Sequence, residues 1–266
     1  MNVLVFDIET IPDIQSGQKI FDLEGLDDAS TVKAMRHLRQ QHADTDFMPL
    51  HLHQIVAISV LYRGMSDDMG HEVSVRSLGE PVSSEAELLE LFINEIETHT
   101  PTLVSWNGSG FNLPVIHYRM LKNNISAPNY WEKGDNNSAF RYDNYLGRYY
   151  ESHTDLMNVL ASYNSDARAP LDHIATMLGF PGQMGMDGSF FTANGSVWDQ
   201  YQAANIKKIR NSCETDVLNT YLVYLRFQLM RGELNNDELE QEYILLREIL
   251  DSSGKEHLQQ FSKSWG

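Results

Sequence analysis

The chain opens on Val3-Leu4-Val5-Phe6, four consecutive apolar residues, and turns polar only at Asp7. An uninterrupted apolar run of this kind predicts a strand buried on both faces, and Pro12 closes it. Ile55 to Tyr62 predicts a second strand, and after a Gly/Asp/Ser turn region Glu72 to Leu78 predicts a third, the two forming a hairpin beside the first. At Ser83 the pattern becomes helical. Ser83 and Ser84 offer caps, Glu85 and Glu87 fill a first turn, and Leu88, Leu89, Phe92, Ile93 and Ile96 follow at helical spacing until Pro101. Leu103-Val104-Ser105-Trp106 predicts a fourth strand, whose turn Asn107-Gly108-Ser109-Gly110 opens a helix at Asn112 with Pro114 in its first turn. Strand, tight turn and helix in succession make one unit of an α/β sheet.

The remaining segments predict a helical excursion over Leu23 to Gln41, irregular surface structure over Asn123 to Tyr150, and helices at Leu156 to Tyr163 and Leu171 to Leu178. A loop carrying Gly182, Gly185, Gly188 and Gly195 follows. Ile209, Val217, Tyr221, Val223, Leu225 and Leu229 place a long helix over Ile206 to Leu229, and an acidic amphipathic helix covers about Asp237 to Leu250. With no internal repeat or linker, the expectation is one domain over 1–266, with 233–266 as a C-terminal helical extension.

Charge narrows the classes of function. Asp+Glu 37 against Lys+Arg 20 gives −17 at pH 7, opposite to the usual footprint of a nucleic-acid binder, so general affinity for a phosphate backbone is not expected. A 42% hydrophobic composition excludes a disordered chain. Cys213 is the one cysteine and forms no internal disulfide. No apolar stretch approaches the roughly 20 residues that span a bilayer, and no leader pattern is present, so the expected location is the cytoplasm with no membrane partner.

Asp7 and Glu9 are two apart on the first strand, so their carboxylates leave the same face and could share a cation. The alternative is a solvated strand end, but paired acids closing a buried strand are costly unless a hard cation such as Mg²⁺ or Mn²⁺ compensates them. Asn112, at the helix opening, reads as an N-cap whatever else it does. Phe111 is either core or a ring offered to a base. Ser212 and Asp216 lie one turn apart on the last long helix, where Asp216 alone reads as a solvated or capping acid. His51 and His53 alternate on a strand edge and read as packing or surface, and His173 as exposed in the first turn of a helix. The glycines of the 107–112 turn lack the third glycine of a dinucleotide fingerprint.

Phe6-Asp7-Ile8-Glu9-Thr10, Trp106-Asn107-Gly108-Ser109-Gly110-Phe111-Asn112-Leu113-Pro114 and Cys213-Glu214-Thr215-Asp216 together resemble, in order and spacing, the three motifs of DEDD 3'-5' exonucleases. The likeness is closest to bacterial proteins described as predicted exonucleases related to the proofreading domain of family B DNA polymerases. It implies a ribonuclease H-like α/β fold with a mixed sheet flanked by helices. It also implies a two-metal phosphodiesterase using Mg²⁺ or Mn²⁺, acting on the 3' end of single-stranded nucleic acid and releasing nucleoside monophosphates. On this resemblance Asp7, Glu9, Asp216 and Asn112 are the metal residues, Ser212 completes the catalytic set, and Thr10, Ile11, Trp106, Asn107, Phe111 and Asp155 bind substrate. Asp155 has a second reading as a helix N-terminal acid. Arg36, Arg39, Arg141, Arg148, Arg168 and Lys207 are candidate strand contacts.

Two positions depart from the family pattern, which has aspartate where Asn112 stands and tyrosine where Ser212 stands; the histidine of a sister group would fall at Asn211. The expectation is a weakly held second cation and a poorly placed water. The competing class is a binding module that keeps the groove for a 3' end without chemistry. A haloacid-dehalogenase-type phosphatase fits less well, because it wants aspartate at Glu9 and Thr or Val at Ile11.

Overall fold

The computed structural model describes residues 2–66, 70–147, 150–182 and 196–265. Strands β1 (Val3–Pro12), β2 (His53–Ser66), β3 (Gly70–Ser77), β4 (Thr102–Ser105) and β5 (His153–Asp155) form one sheet in the order β3-β2-β1-β4-β5. The described helices are α1 (Ile14–Ile20), α2 (Asp28–Ala43), α3 (Glu85–His99), α4 (Asn112–Asn123), α5 (Leu156–Leu160), α6 (Leu171–Met177), α7 (Val197–Gln202), α8 (Ile206–Met230), α9 (Asn236–Ser252) and α10 (Glu256–Ser264). The fold is α/β, a mixed five-stranded sheet flanked by helices, as a ribonuclease H-like exonuclease requires.

β1 is the pivot of the sheet. It runs antiparallel to β2 on one side and parallel to β4 on the other. Its apolar residues serve two cores, which is why the run is continuous rather than alternating. Val3 and Val5 pack with Val217, Leu218 and Tyr221 of α8 and with α9 and α10. Leu4, Phe6 and Ile8 pack with α3 and α4 on the opposite face. Asp7 and Glu9 share the parity of Val3 and Val5 and so continue the face covered by α8. The ladder with β2 shifts register between Glu9 and Thr10, whose partners are Ala57 and Ile55, so a bulge lies beside the acid pair.

Ser84 caps α3 with a reciprocal capping box to Glu87, as the sequence pattern predicts. Buried ion pairs fasten distant elements. Arg63, 2% exposed, donates from Nε and Nη2 to the Glu242 carboxylate at 2.9 and 2.6 Å, joining β2 to α9. Arg119 of α4 pairs with both Asp13 and Glu85. Among the described residues, no helix is long and apolar enough to cross a membrane.

Several elements differ from expectation. The excursion of residues 23–41 is the helix α2, and the short helix α1 before it lies outside that expectation. β5 and α7 have no counterpart in the sequence reading, α10 falls within the expected C-terminal helical extension, and among the described residues of 123–150 Ser138–Arg141 forms a short helical turn. Of the glycine loop, Gly185, Gly188 and Gly195 lie outside the described residues, as does Arg148.

Candidate active site

The parallel strands β1, β4 and β5 end at one edge of the sheet, and α4 begins at that same edge. Asp7 and Glu9 stand there, half-buried, beneath α8. Their carboxylates and the Cys213 thiol lie within 4.8 Å of one another. Two unit charges at such a separation oppose each other by about 3 kcal/mol at an effective dielectric of ~20. Burial pushes the Asp7 carboxyl up to about 6, against the pull of hydrogen bonds from Asn112 and from the Ile8 backbone. Burial, then the charges of Asp7 and Asp216, hold Glu9 well above the usual range. Asp216 is raised by burial and then by Asp7 and Asp172, which brings it into the same electrostatic group. Burial, with Asp7 and Glu9 beside it, also raises the Cys213 thiol.

Among the described residues no Lys, Arg or His forms an ion pair with Asp7, Glu9 or Asp216. The neutral contact is Asn112, whose Nδ2 donates to Asp7 Oδ1 at 2.7 Å. This corrects the reading of Asn112 as a helix cap. Phe111 occupies the N-cap position without a side-chain cap bond, and Asn112, buried as the first helical residue, points into the acid cluster. Ser212 lies one turn before Asp216, half-buried, with its carbonyl accepting from Thr215 Oγ1.

The 107–111 turn is held by Asp155. Its carboxylate accepts from the backbone N–H of Asn107 at 3.0 Å and of Ser109 at 2.9 Å, while capping α5 through Asn158. Asp155 thus fills the helix N-terminal role and also fixes the turn that delivers Phe111 and Asn112; its hydrogen bonds reach none of Asp7, Glu9 or Asp216. Asn107 adopts left-handed backbone at φ 60°. Gly108 lies over Ser105, where a Cβ would stand 2.0 Å from Ser105 Oγ. Below it Ser105 Oγ meets His153 Nε2 at 2.9 Å, and burial pushes that imidazole down to about 4.

Other expected contacts separate. Thr10 Oγ1 lies 2.8 Å from His53 Nδ1. The Ile11 side chain is buried with Val32 and Trp198, leaving only its backbone at the edge. Trp106 is half-buried against the α8 core. His53 begins β2 and is buried, whereas His51 is exposed in a short helical turn and His173 is exposed in the first turn of α6. Arg141, Arg168 and Lys207 are exposed, Arg36 and Arg39 half-buried.

Sequence reasoning missed three groups. Cys213 is three residues before Asp216 and therefore on its face of α8, a helical spacing that could have found it. Asp172 acts on Asp216 from α6, which no local pattern announces. Glu214 is buried on the neighbouring face, accepting from Ser77 N and Oγ, Lys255 Nζ and His257 Nε2.

A family model described as a predicted 3'-5' exonuclease related to the exonuclease domain of PolB matches residues 45–265. The match spans β2 to α10 and includes Asn112, Ser212 and Asp216, while Asp7 and Glu9 precede it. No curated protein matches the chain.

Proposed function

The chain belongs to the family of predicted 3'-5' exonucleases related to the exonuclease domain of PolB, and from that premise we propose that it is a metal-dependent 3'-5' exonuclease weakened by Asn112 and Ser212. Its substrate on this reading is the 3' end of a single strand, DNA first, and its product a nucleoside monophosphate. The chain works as one exonuclease-like domain. The observation that carries the reading is the acid pair Asp7 and Glu9, within 4.8 Å of each other and of the Cys213 thiol, with Asp216 on α8 near enough to raise Glu9 and no ion pair to any of the three among the described residues.

Three hard oxygen donors in mutual repulsion fit Mg²⁺ or Mn²⁺. Asp7, Glu9 and Asp216 would hold the first ion. A second would be left to Asp7 and Asn112, whose amide brings no charge and whose Nδ2 already bonds Asp7 Oδ1. Divalent cations in such a site lower the pKa of a bound water and neutralise charge on the attacking and leaving oxygens. Asp155 keeps the 107–111 turn in place, so Phe111 and Asn112 stay fixed against β1. Ser212 is too short to orient a water as a phenol would. Thr10, the Ile11 backbone, Trp106, Asn107 and Phe111 line the path of the strand.

The Asn112 to Asp7 bond also favours a second reading, a 3'-end binding module without turnover. Incubating a 5'-labelled single strand with the chain in Mn²⁺ and in EDTA separates the two. Cation-dependent shortening from the 3' end supports the exonuclease. Binding without shortening, persisting when Asn112→Asp and Ser212→Tyr are combined, overturns it in favour of the module.

A further inference from the structure

The chain between β1 and β2 ends in a short stretch, residues 44–49, that packs against His53 and Phe111. Phe47 in this stretch is 53% exposed yet fixed at both backbone groups: its N–H donates to Thr45 Oγ1 at 3.2 Å and its carbonyl accepts from Arg39 Nε at 3.1 Å. Its ring sits 5.1 Å from that of His53 and 5.9 Å from that of Phe111, and His53 meets Phe111 edge-on at 5.1 Å. His53 is itself pinned. Its Nε2 donates to the Met48 carbonyl at 3.1 Å, so Nδ1 is the acceptor of the Thr10 hydroxyl. Three rings thus form one wall, from His53, bonded to Thr10, to Phe111, which directly precedes Asn112 and its bond to Asp7.

A single exposed aromatic is ordinary on a protein surface. This one differs in being bonded at both backbone groups, in continuing a wall that reaches Phe111 at the opening of α4, and in its companion. Arg39 spends Nε on the Phe47 carbonyl, and among the described residues its guanidinium has no carboxylate partner, in a chain of net charge −17. An aromatic face suits a nucleobase of any identity, and the adjacent cation suits its phosphate.

We propose that Phe47 and Arg39 form the stacking face and a phosphate contact for one nucleotide of a single-stranded nucleic acid whose 3' end lies at Asp7, Glu9 and Asp216. The proposal rests on the exonuclease reading of that site. It assigns recognition to α2 and the stretch after it, and Arg39 lies outside the span that the family model matches.

The test is fluorescence anisotropy of a labelled oligothymidylate, with a hydrolysis-resistant phosphorothioate at its terminal linkage, titrated in Mn²⁺ over a range of salt. Phe47→Ala should weaken binding about tenfold, equivalent to ~1.4 kcal/mol, with the salt dependence unchanged. Phe47→Trp should restore affinity and its emission should be quenched by the strand. Arg39→Gln should reduce the slope of log K against log salt by about 0.7, the value of one phosphate contact on a single strand. An unchanged urea midpoint for each variant establishes that it folds. Wild-type affinity and slope retained in Phe47→Ala and Arg39→Gln would overturn the proposal and leave the exonuclease reading standing. A wild-type chain that neither binds nor shortens the strand overturns both.

Discussion

Replacing Asp7 by asparagine should make the metal-free protein more stable. The substitution keeps the shape of the side chain and leaves an oxygen to accept from Asn112 Nδ2. What it removes is a charge that burial disfavours and that raises both Glu9 and Asp216. The Asp7 carboxyl rises from 3.8 to about 6 on folding. Its folded form therefore binds the proton more tightly than the unfolded chain, and the wild type loses stability as pH rises through that window. Above it the loss is complete, about 2 pH units or ~3 kcal/mol as an upper figure. Urea unfolding in EDTA near pH 8 should show Asp7→Asn more stable by about 1 to 3 kcal/mol, and the advantage should vanish near pH 4. Adding Mn²⁺ should close or reverse that gap, because an ion present at ~100 times its dissociation constant stabilises the folded wild type by about 2.7 kcal/mol and has lost a ligand in the variant. A wild type more stable than Asp7→Asn in EDTA at the higher pH, or Mn²⁺ raising both equally, would refute the reasoning.

Three further outcomes are expected. Combining Asn112→Asp with Ser212→Tyr should raise cation-dependent hydrolysis of a single strand by about 10² to 10⁵, each group being worth about 1.4 to 4 kcal/mol with some coupling; initial rates on a labelled oligonucleotide measure it. Burial alone would raise Glu214, but His257 and Lys255 hold it down to about 2 from 4.5, so its contribution is full above pH 4.5 and lost as pH falls towards 2. Glu214→Gln should accordingly cost about 2 to 3 kcal/mol near neutrality and progressively less across that acid window, by urea unfolding. Gly108→Ala should cost about 1 to 3 kcal/mol, since its Cβ meets Ser105 Oγ at 2.0 Å; a variant unfolding like wild type would show that Ser105 moves aside freely.

What the sequence makes legible is whatever repeats. β1 and β2 announce themselves because burial on both faces gives each a long, nearly unbroken apolar run, and α8 because its buried positions recur over 25 residues. β5 does not: three residues, His-Thr-Asp, form an edge strand paired on one side only. α10 is nine residues with Leu258 and Phe261 as its main anchors, too short for a periodic pattern to stand out. At the site, the spacing of Asp7 and Glu9 is local and readable. The turn of Asn112 towards Asp7 is not, because a helix-opening asparagine is an ordinary cap until the neighbouring strand is known. Phe47 and His53 are likewise silent in sequence, since what distinguishes them is which rings they meet.

The pairing of the first strand with the last long helix sets an order in time. Asp7 emerges from a ribosome more than 200 residues before Asp216, an interval of about 10 to 40 s at ~5–20 residues per second. Throughout it, β1 and β2 can zip together, but the face bearing Val3, Val5 and Leu61 waits uncovered for Val217, Leu218 and Tyr221. A nascent chain halted before α8 therefore carries a sticky sheet and half of an acid cluster, a species for chaperones to hold. Assembly of the cluster comes with the covering of that face, so the chain gathers its carboxylates only when the sheet is protected.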